Sequence, residues 1–114
     1  MGVRKKGRRK IVCADQEYVW YVALDDESAY YILNICSEDK SLVLSYPIKT
    51  RISYVISKGR FFQGEKTDGV WHRYRLPFEG VDIVTPKFVA DIISWATREN
   101  DAEEVVWNGN DIVV

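Results

Sequence analysis

Apolar and β-branched residues come in short runs separated by turn formers, and through most of the chain their period is two. Alternation marks a strand with one face buried, and a short run apolar on both sides marks a strand covered on both faces. Residues 10–14 read as a first strand, ended by a tight turn at Asp15 and Gln16. Residues 17–24, dense in β-branched and aromatic side chains, read as a second strand of the kind covered on both sides. Residues 29–36 form a third, with Tyr30, Ile32, Asn34 and Cys36 on one side and Tyr31, Leu33 and Ile35 on the other. The second set is the more apolar and is expected to face the core. Residues 41–46 are a fourth strand, stopped by Pro47, which cannot donate to a ladder.

Residues 51–57 alternate, with Ile52, Tyr54 and Ile56 on one face and Arg51, Ser53, Val55 and Ser57 on the other. Lys58 and Gly59 suggest a hairpin turn into residues 60–63, followed by a polar loop over 64–69. Residues 70–76 alternate again, with Val70, His72, Tyr74 and Leu76 opposite Trp71, Arg73 and Arg75. Then the period changes. Thr85 and Pro86 pair an N-cap hydroxyl with a proline at the first helical position, where its missing N–H costs nothing. Val89, Ile92, Ile93 and Ala96 follow at helical spacing, widened by Phe88 and Trp95, so a helix is expected from 86 to about 99. Residues 104–107 read as a strand that turns at Asn108 and Gly109, a type I′ signal, toward 111–114.

These elements define an α+β fold: an antiparallel sheet of about six to eight short strands, packed on one face by one long helix in the C-terminal half. The 114 residues suit one domain over 9–114, preceded by a basic flexible arm over 1–8. A composition 46% hydrophobic and 13% aromatic supports a packed core and argues against disorder of the body. No apolar run approaches the roughly 20 residues of a membrane span, and Asp15 interrupts the apolar stretch after the basic start, so neither a membrane segment nor a secretory signal is expected. The expected compartment is the cytoplasm.

Charge changes this picture at one end. Arg4, Lys5, Lys6, Arg8, Arg9 and Lys10 fall in the first ten residues without an acid among them. They leave 10 bases against 17 acids in residues 11–114, a formal charge of −7. A basic arm on an acidic body either stays solvated or seeks a polyanion.

Three stretches bear a family resemblance. Arg9, Lys10, Ile11 and Val12, then Glu17 through Val22, then Val84, Thr85 and Pro86 at the helix start resemble a loose group of small bacterial proteins of unknown function. The shared features are a strand, a helix cap and a packing stripe. They carry no catalytic residues, and the resemblance implies a bacterial, cytoplasmic origin.

Catalytic chemistry finds little foothold. His72 is the single histidine, so any triad or dyad depends on it, and its strand setting suits a packed or hydrogen-bonded residue. Cys13 and Cys36 match no disulfide framework or zinc spacing and read as small apolar side chains in a reduced core. The carboxylates at 25–27, 38–39 and 101–104 lie in turns and at a helix end, and residues 25–28 lack EF-hand ligand spacing. Gly59, Gly64 and Gly69, among Lys58, Arg60 and Lys66, suit a long hairpin connection better than a phosphate loop. No Walker motif or dinucleotide fingerprint is present, and no cofactor or metal is expected.

The remaining candidates are basic. Arg4, Lys5, Lys6, Arg8, Arg9, Lys10, Arg73 and Arg75 form a polyanion-binding set, extended by Arg51 and Arg60, with Trp71 on the face of Arg73 and Arg75 as a stacking platform. Fifteen aromatic residues exceed what a core of this size hides, and exposed aromatics mark interfaces. The expectation is therefore a small non-enzymatic protein–protein interaction module, its partner an unknown protein or a second copy of itself as a homodimer. The alternative is a nucleic-acid-binding accessory protein that uses the basic arm for weak, non-specific contacts. The body's negative charge opposes that alternative unless the bases segregate to one side.

Overall fold

Ala14 and Asp15 both adopt left-handed backbone, φ 52° and 65°, and turn β1 (Arg9–Cys13) back onto β2 (Gln16–Leu24). Two consecutive positive φ values suit the right-handed twist of a two-residue hairpin. The turn therefore sits one residue earlier than the expected Asp15 and Gln16. The computed structural model describes residues 8–24, 31–48, 53–67, 70–81, 83–98, 102–107 and 112–113. Residues 1–7 of the expected arm, with Arg4, Lys5 and Lys6, lie outside them, as do 25–30 and the turn at Asn108 and Gly109.

The chain continues as an antiparallel meander through β3 (Tyr31–Ser37), β4 (Val43–Pro47) and β5 (Tyr54–Ser57). Asp39 shapes the β3–β4 turn. Its Oδ1 accepts hydrogen bonds from Ser41 N–H at 3.0 Å, Ser41 Oγ at 2.7 Å and Ser37 Oγ at 2.8 Å. Pro47 does not stop β4 but is its buried last residue, opposite Ile32. Ile48 N–H donates to Tyr31 O at 2.9 Å. Ladder alternation thus turns the Pro47 nitrogen away from β3, toward a side where pairing with β5 has already ended at Ser45 and Ile56.

Residues 60–63 do not fold back on β5. Instead β6 (Phe61–Phe62) pairs β7 (Glu65–Lys66) around Gln63 and Gly64, both at positive φ, so strand structure enters the expected polar loop. The partner of β5 is β8 (His72–Arg75), and β8 in turn pairs β9 (Glu103–Glu104). The main sheet has seven antiparallel strands in the order β1-β2-β3-β4-β5-β8-β9. The strand expected over 104–107 is divided: β10 (Val106–Trp107) leaves the main sheet and pairs β11 (Ile112–Val113). Trp107 is opposite Ile112, so four residues separate the paired positions where a type I′ hairpin at Asn108 and Gly109 has two.

Helix α1 (Pro86–Arg98) starts where its cap signal places it, with Phe88 N–H donating to Thr85 Oγ1 at 3.2 Å. Phe88, Val89, Ile92, Ile93, Trp95 and Ala96 are all buried. They pack on Tyr18, Trp20, Leu33, Ile35, Leu44 and Val55, which share one sheet face. Tyr46 meets Phe88 edge to face at 5.2 Å, and Phe62 of the hairpin meets Trp95 likewise at 5.2 Å while stacking on Tyr74 at 4.2 Å. Leu33 and Ile35 face the core as their alternation predicts. In β5 the more apolar set faces away: Val55 and Ser57 are buried under the helix, and Tyr54 and Ile56 lie half-buried on the other side.

Candidate functional site

Each strand of the seven-stranded sheet has one side toward α1 and one away, and register carries that parity across the sheet. The face without a helix receives Lys10 and Val12 from β1, Glu17, Val19 and Tyr21 from β2, and Ile32, Asn34 and Cys36 from β3. Val43 and Ser45 follow from β4, Tyr54 and Ile56 from β5, Arg73 and Arg75 from β8, and Glu103 from β9. Ser45 Oγ donates to Asn34 Oδ1 at 3.1 Å in its middle. Val12 at one margin and Trp71 at the other are 65% and 57% exposed.

Side chains just outside the strands join this face. The Arg8 guanidinium lies 5.2 Å from the centroid of the Tyr21 ring, and Lys58 Nζ lies 4.4 Å from that of Trp71. Lys40 Nζ approaches Cys36 Sγ at 3.6 Å. Arg9, by contrast, points to the helix side, its guanidinium 5.8 Å from the Trp20 ring centroid. Arg9 and Lys10 are strand residues, within the domain expected from residue 9, and Lys10 pairs with Glu17 at 3.6 Å. Of the predicted basic set, Arg73 and Arg75 share the helix-free face with Arg8 and Lys10, but five strand spacings apart, roughly 24 Å. Arg60 is exposed at the foot of the β6–β7 hairpin, and Arg51 lies outside the described residues.

Charges sort in part between the two sides, with Arg9 on the helix side, Arg60 and Lys66 at the hairpin and Lys87 and Arg98 on α1. Among the described residues, Arg8, Lys10, Lys40, Lys58, Arg73 and Arg75 stand on or reach the helix-free face, against Glu17 and Glu103. The other described acids lie elsewhere: Asp15, Glu38 and Asp39 in turns, Glu65 in the hairpin, Glu79 in a loop, Asp91 on α1 and Glu104 on the helix side. Hydrogen bonds from Ser41 and Ser37 hold the Asp39 carboxyl down at about 2.

His72 occupies the helix side of β8. Its Nδ1 is 2.9 Å from Glu104 Oε2; the carboxylate accepts, so Nδ1 carries the proton. His72 borders an open cleft of about 380 Å³ between hairpin and sheet, lined also by Phe62, Gln63, Lys66 and Tyr74. Cys13 packs against the core on the helix side of the edge strand β1, while Cys36 is half-buried on the opposite face rather than in the core. Opposite faces rule out a disulfide between them, and neither thiol reaches His72 across the sheet. Burial pushes the Cys13 thiol up, with Arg98 opposing, which keeps it in the unreactive protonated form.

Gly59 and Gly64 serve the backbone: a Cβ on Gly59 would collide with Ser41 O, and Gly64 supplies φ 79° to the β6–β7 turn, while Gly69 lies outside the described residues. Residues 25–28 also lie outside, and among the described residues no group of three or more His, Cys, Asp or Glu is placed to hold a metal ion. No helix among the described residues is long and apolar enough to cross a membrane.

Alternation in the sequence already set Trp71, Arg73 and Arg75 on one side of their strand, but it did not show that Tyr21, Tyr54, Lys40 and Lys58 share that face. Their membership depends on register between strands, which no local pattern carries. Comparison with family models, characterised proteins and solved structures finds no match for the chain.

Proposed function

We propose that this protein is a non-enzymatic interaction module that meets its partner on the helix-free face of the sheet. The observation that carries this reading is the half-exposed apolar region formed there by Val12, Val19, Tyr21, Ala23, Ile32 and Val43. Apolar area left on a sheet face favours burial against a protein surface, a second copy of the chain included. On the resemblance of residues 9–12, 17–22 and 84–86 to small bacterial proteins, the expected setting of that partner is a bacterial cytoplasm. A photo-crosslinking residue at Val12 should capture protein in cells, and one at Lys87 on the exposed side of α1 should not. Equal capture from the two positions, or none from Val12, rejects this reading.

A second reading, nucleic-acid binding, is supported by the segregation of bases onto the same face. That partial separation among the described residues supports the reading despite the acidic body, because the field near a surface follows the nearest charges within about 8–10 Å at ordinary salt. Retention on heparin at low salt, lost progressively as salt rises, is the expected behaviour. Elution with neutral proteins at low salt removes this second reading.

A further inference from the structure

We infer that the β5–β8 half of the helix-free face is a binding site for single-stranded nucleic acid, a step that rests on the second reading above. Register sets three pairs side by side there. Tyr54 is opposite Arg75, Ile56 is opposite Arg73, and beyond the last ladder pair Lys58 meets Trp71. Each aromatic ring therefore has a cation beside it: Arg75 is level with Tyr54, Lys58 meets Trp71, and Arg73, about 7 Å from Arg75 along the strand, lies between the two rings. Tyr54 and the Lys58–Trp71 pair are separated by about 13 Å of strand, enough for bases to stack at both ends while a phosphate between them meets Arg73 and one beside Tyr54 meets Arg75.

The chemistry selects single strands over duplex. An aromatic ring stacks only on a base whose face is available, and in a duplex those faces are covered by neighbouring base pairs. Trp71, more than half exposed, has one ring face engaged by the Lys58 ammonium and two faces in all. Arg and Lys beside it supply the sequence-independent attraction to phosphate. On the far side of the face Arg8 and Lys40 continue the positive margin, which directs a strand across the sheet rather than along one edge. The polar pair Asn34 and Ser45 lies on that path. Asn34 and Ser45 are engaged with each other, and stacking on an aromatic ring accepts any base, so the binding is sequence-tolerant.

The test compares a fluorescently labelled thymidine oligonucleotide with a duplex of the same length, by anisotropy at low salt, on the full chain. The oligonucleotide should bind more tightly. Trp71→Ala should weaken it roughly 5- to 150-fold, the worth of one stacked base, while leaving the duplex unchanged. Arg73→Gln with Arg75→Gln should weaken both polymers and lower the single-strand salt slope by about 1.4, at roughly 0.7 per phosphate contact. Circular dichroism of each variant confirms the fold. Equal affinity for the two polymers, with Trp71→Ala neutral, overturns the stacking site while the electrostatic reading stands. Binding of neither polymer at low salt overturns the nucleic-acid reading together with this one. Loss of self-association in Trp71→Ala, with no effect on either polymer, assigns the face to a protein partner and also overturns it.

Discussion

Gln63 donates its side-chain amide to the Trp95 carbonyl at 3.1 Å, across the junction between the β6–β7 hairpin and the last turn of α1. Its Oε1 accepts from Ala102 N–H at 3.0 Å, and its own backbone N–H donates to Ala96 O at 2.7 Å. Carbonyls in the final turn of a helix have no partner within the helix, and here one side chain and its backbone supply two of them. Gln63 thus ties the hairpin, the helix end and the approach to β9 together while itself buried.

Truncation of that side chain is the sharpest probe of the junction. Gln63→Ala leaves Trp95 O and Ala102 N–H without their side-chain partner and should cost about 1–3 kcal/mol in urea unfolding. Gln63→Glu should also destabilise, because a carboxylate cannot donate to Trp95 O. A change below about 0.3 kcal/mol for both variants would show that solvent replaces the contacts without cost.

The helix stripe gives a second expectation. Ile92 is fully buried among the sheet residues that α1 covers. Ile92→Ala should cost on the order of 2–5 kcal/mol, the range for a buried isoleucine cut to alanine. Exposed Lys87, which pairs with Asp91 at 3.0 Å one turn away, should lose no more than about 0.5 kcal/mol on substitution by alanine.

Gly59 and Gly64 should respond for different reasons. At Gly59 the added carbon meets the backbone of Ser41 and Val43, which cannot move aside as a side chain tip does. Gly59→Ala should cost about 1–3 kcal/mol or more through overpacking. At Gly64 there is open space around the added carbon but φ is 79°, so Gly64→Ala should cost about 1 kcal/mol in backbone strain. Gly64→Asn should recover part of it, since asparagine tolerates left-handed backbone; differential scanning calorimetry of the three variants separates the two causes.

Asp39 gives the molecule a defined acid response. Its folded-state pKa, about 2, lies below the ordinary 3.8, so ionised Asp39 favours the folded state. That contribution is complete above about pH 4 and is lost as pH falls from 4 toward 2. Asp39→Asn should flatten the stability profile in this window and leave the slope above pH 5 unchanged. A carboxyl titration by NMR giving a midpoint near 3.8 would show that Ser37 and Ser41 do not hold the carboxylate in solution.

Where the signals were local, sequence and structure agree. Thr85 and Pro86 open α1 because a hydroxyl cap and a fixed φ act within one turn, and its buried stripe follows from the 3.6-residue period alone. Leu33 and Ile35 face the core for the same kind of reason: alternation within a single strand separates one side from the other. Local signals also misled where pairing decides. Lys58 and Gly59 resemble a hairpin turn, yet β5 pairs β8 across a 14-residue excursion that forms its own hairpin. Val55 rather than Tyr54 enters the core because β4 hands its parity to β5 through Leu44 opposite Ser57. Asn34, Cys36, Tyr54, Lys58, Trp71, Arg73 and Arg75 come to one surface only after that parity has passed from strand to strand. The sequence by itself determined the α+β class, the helix with its cap and the division of each strand into two sides. Tertiary structure alone decided which sides align, because hydrogen-bond register joins residues far apart in the chain and a shift of one position would exchange the two faces of a strand.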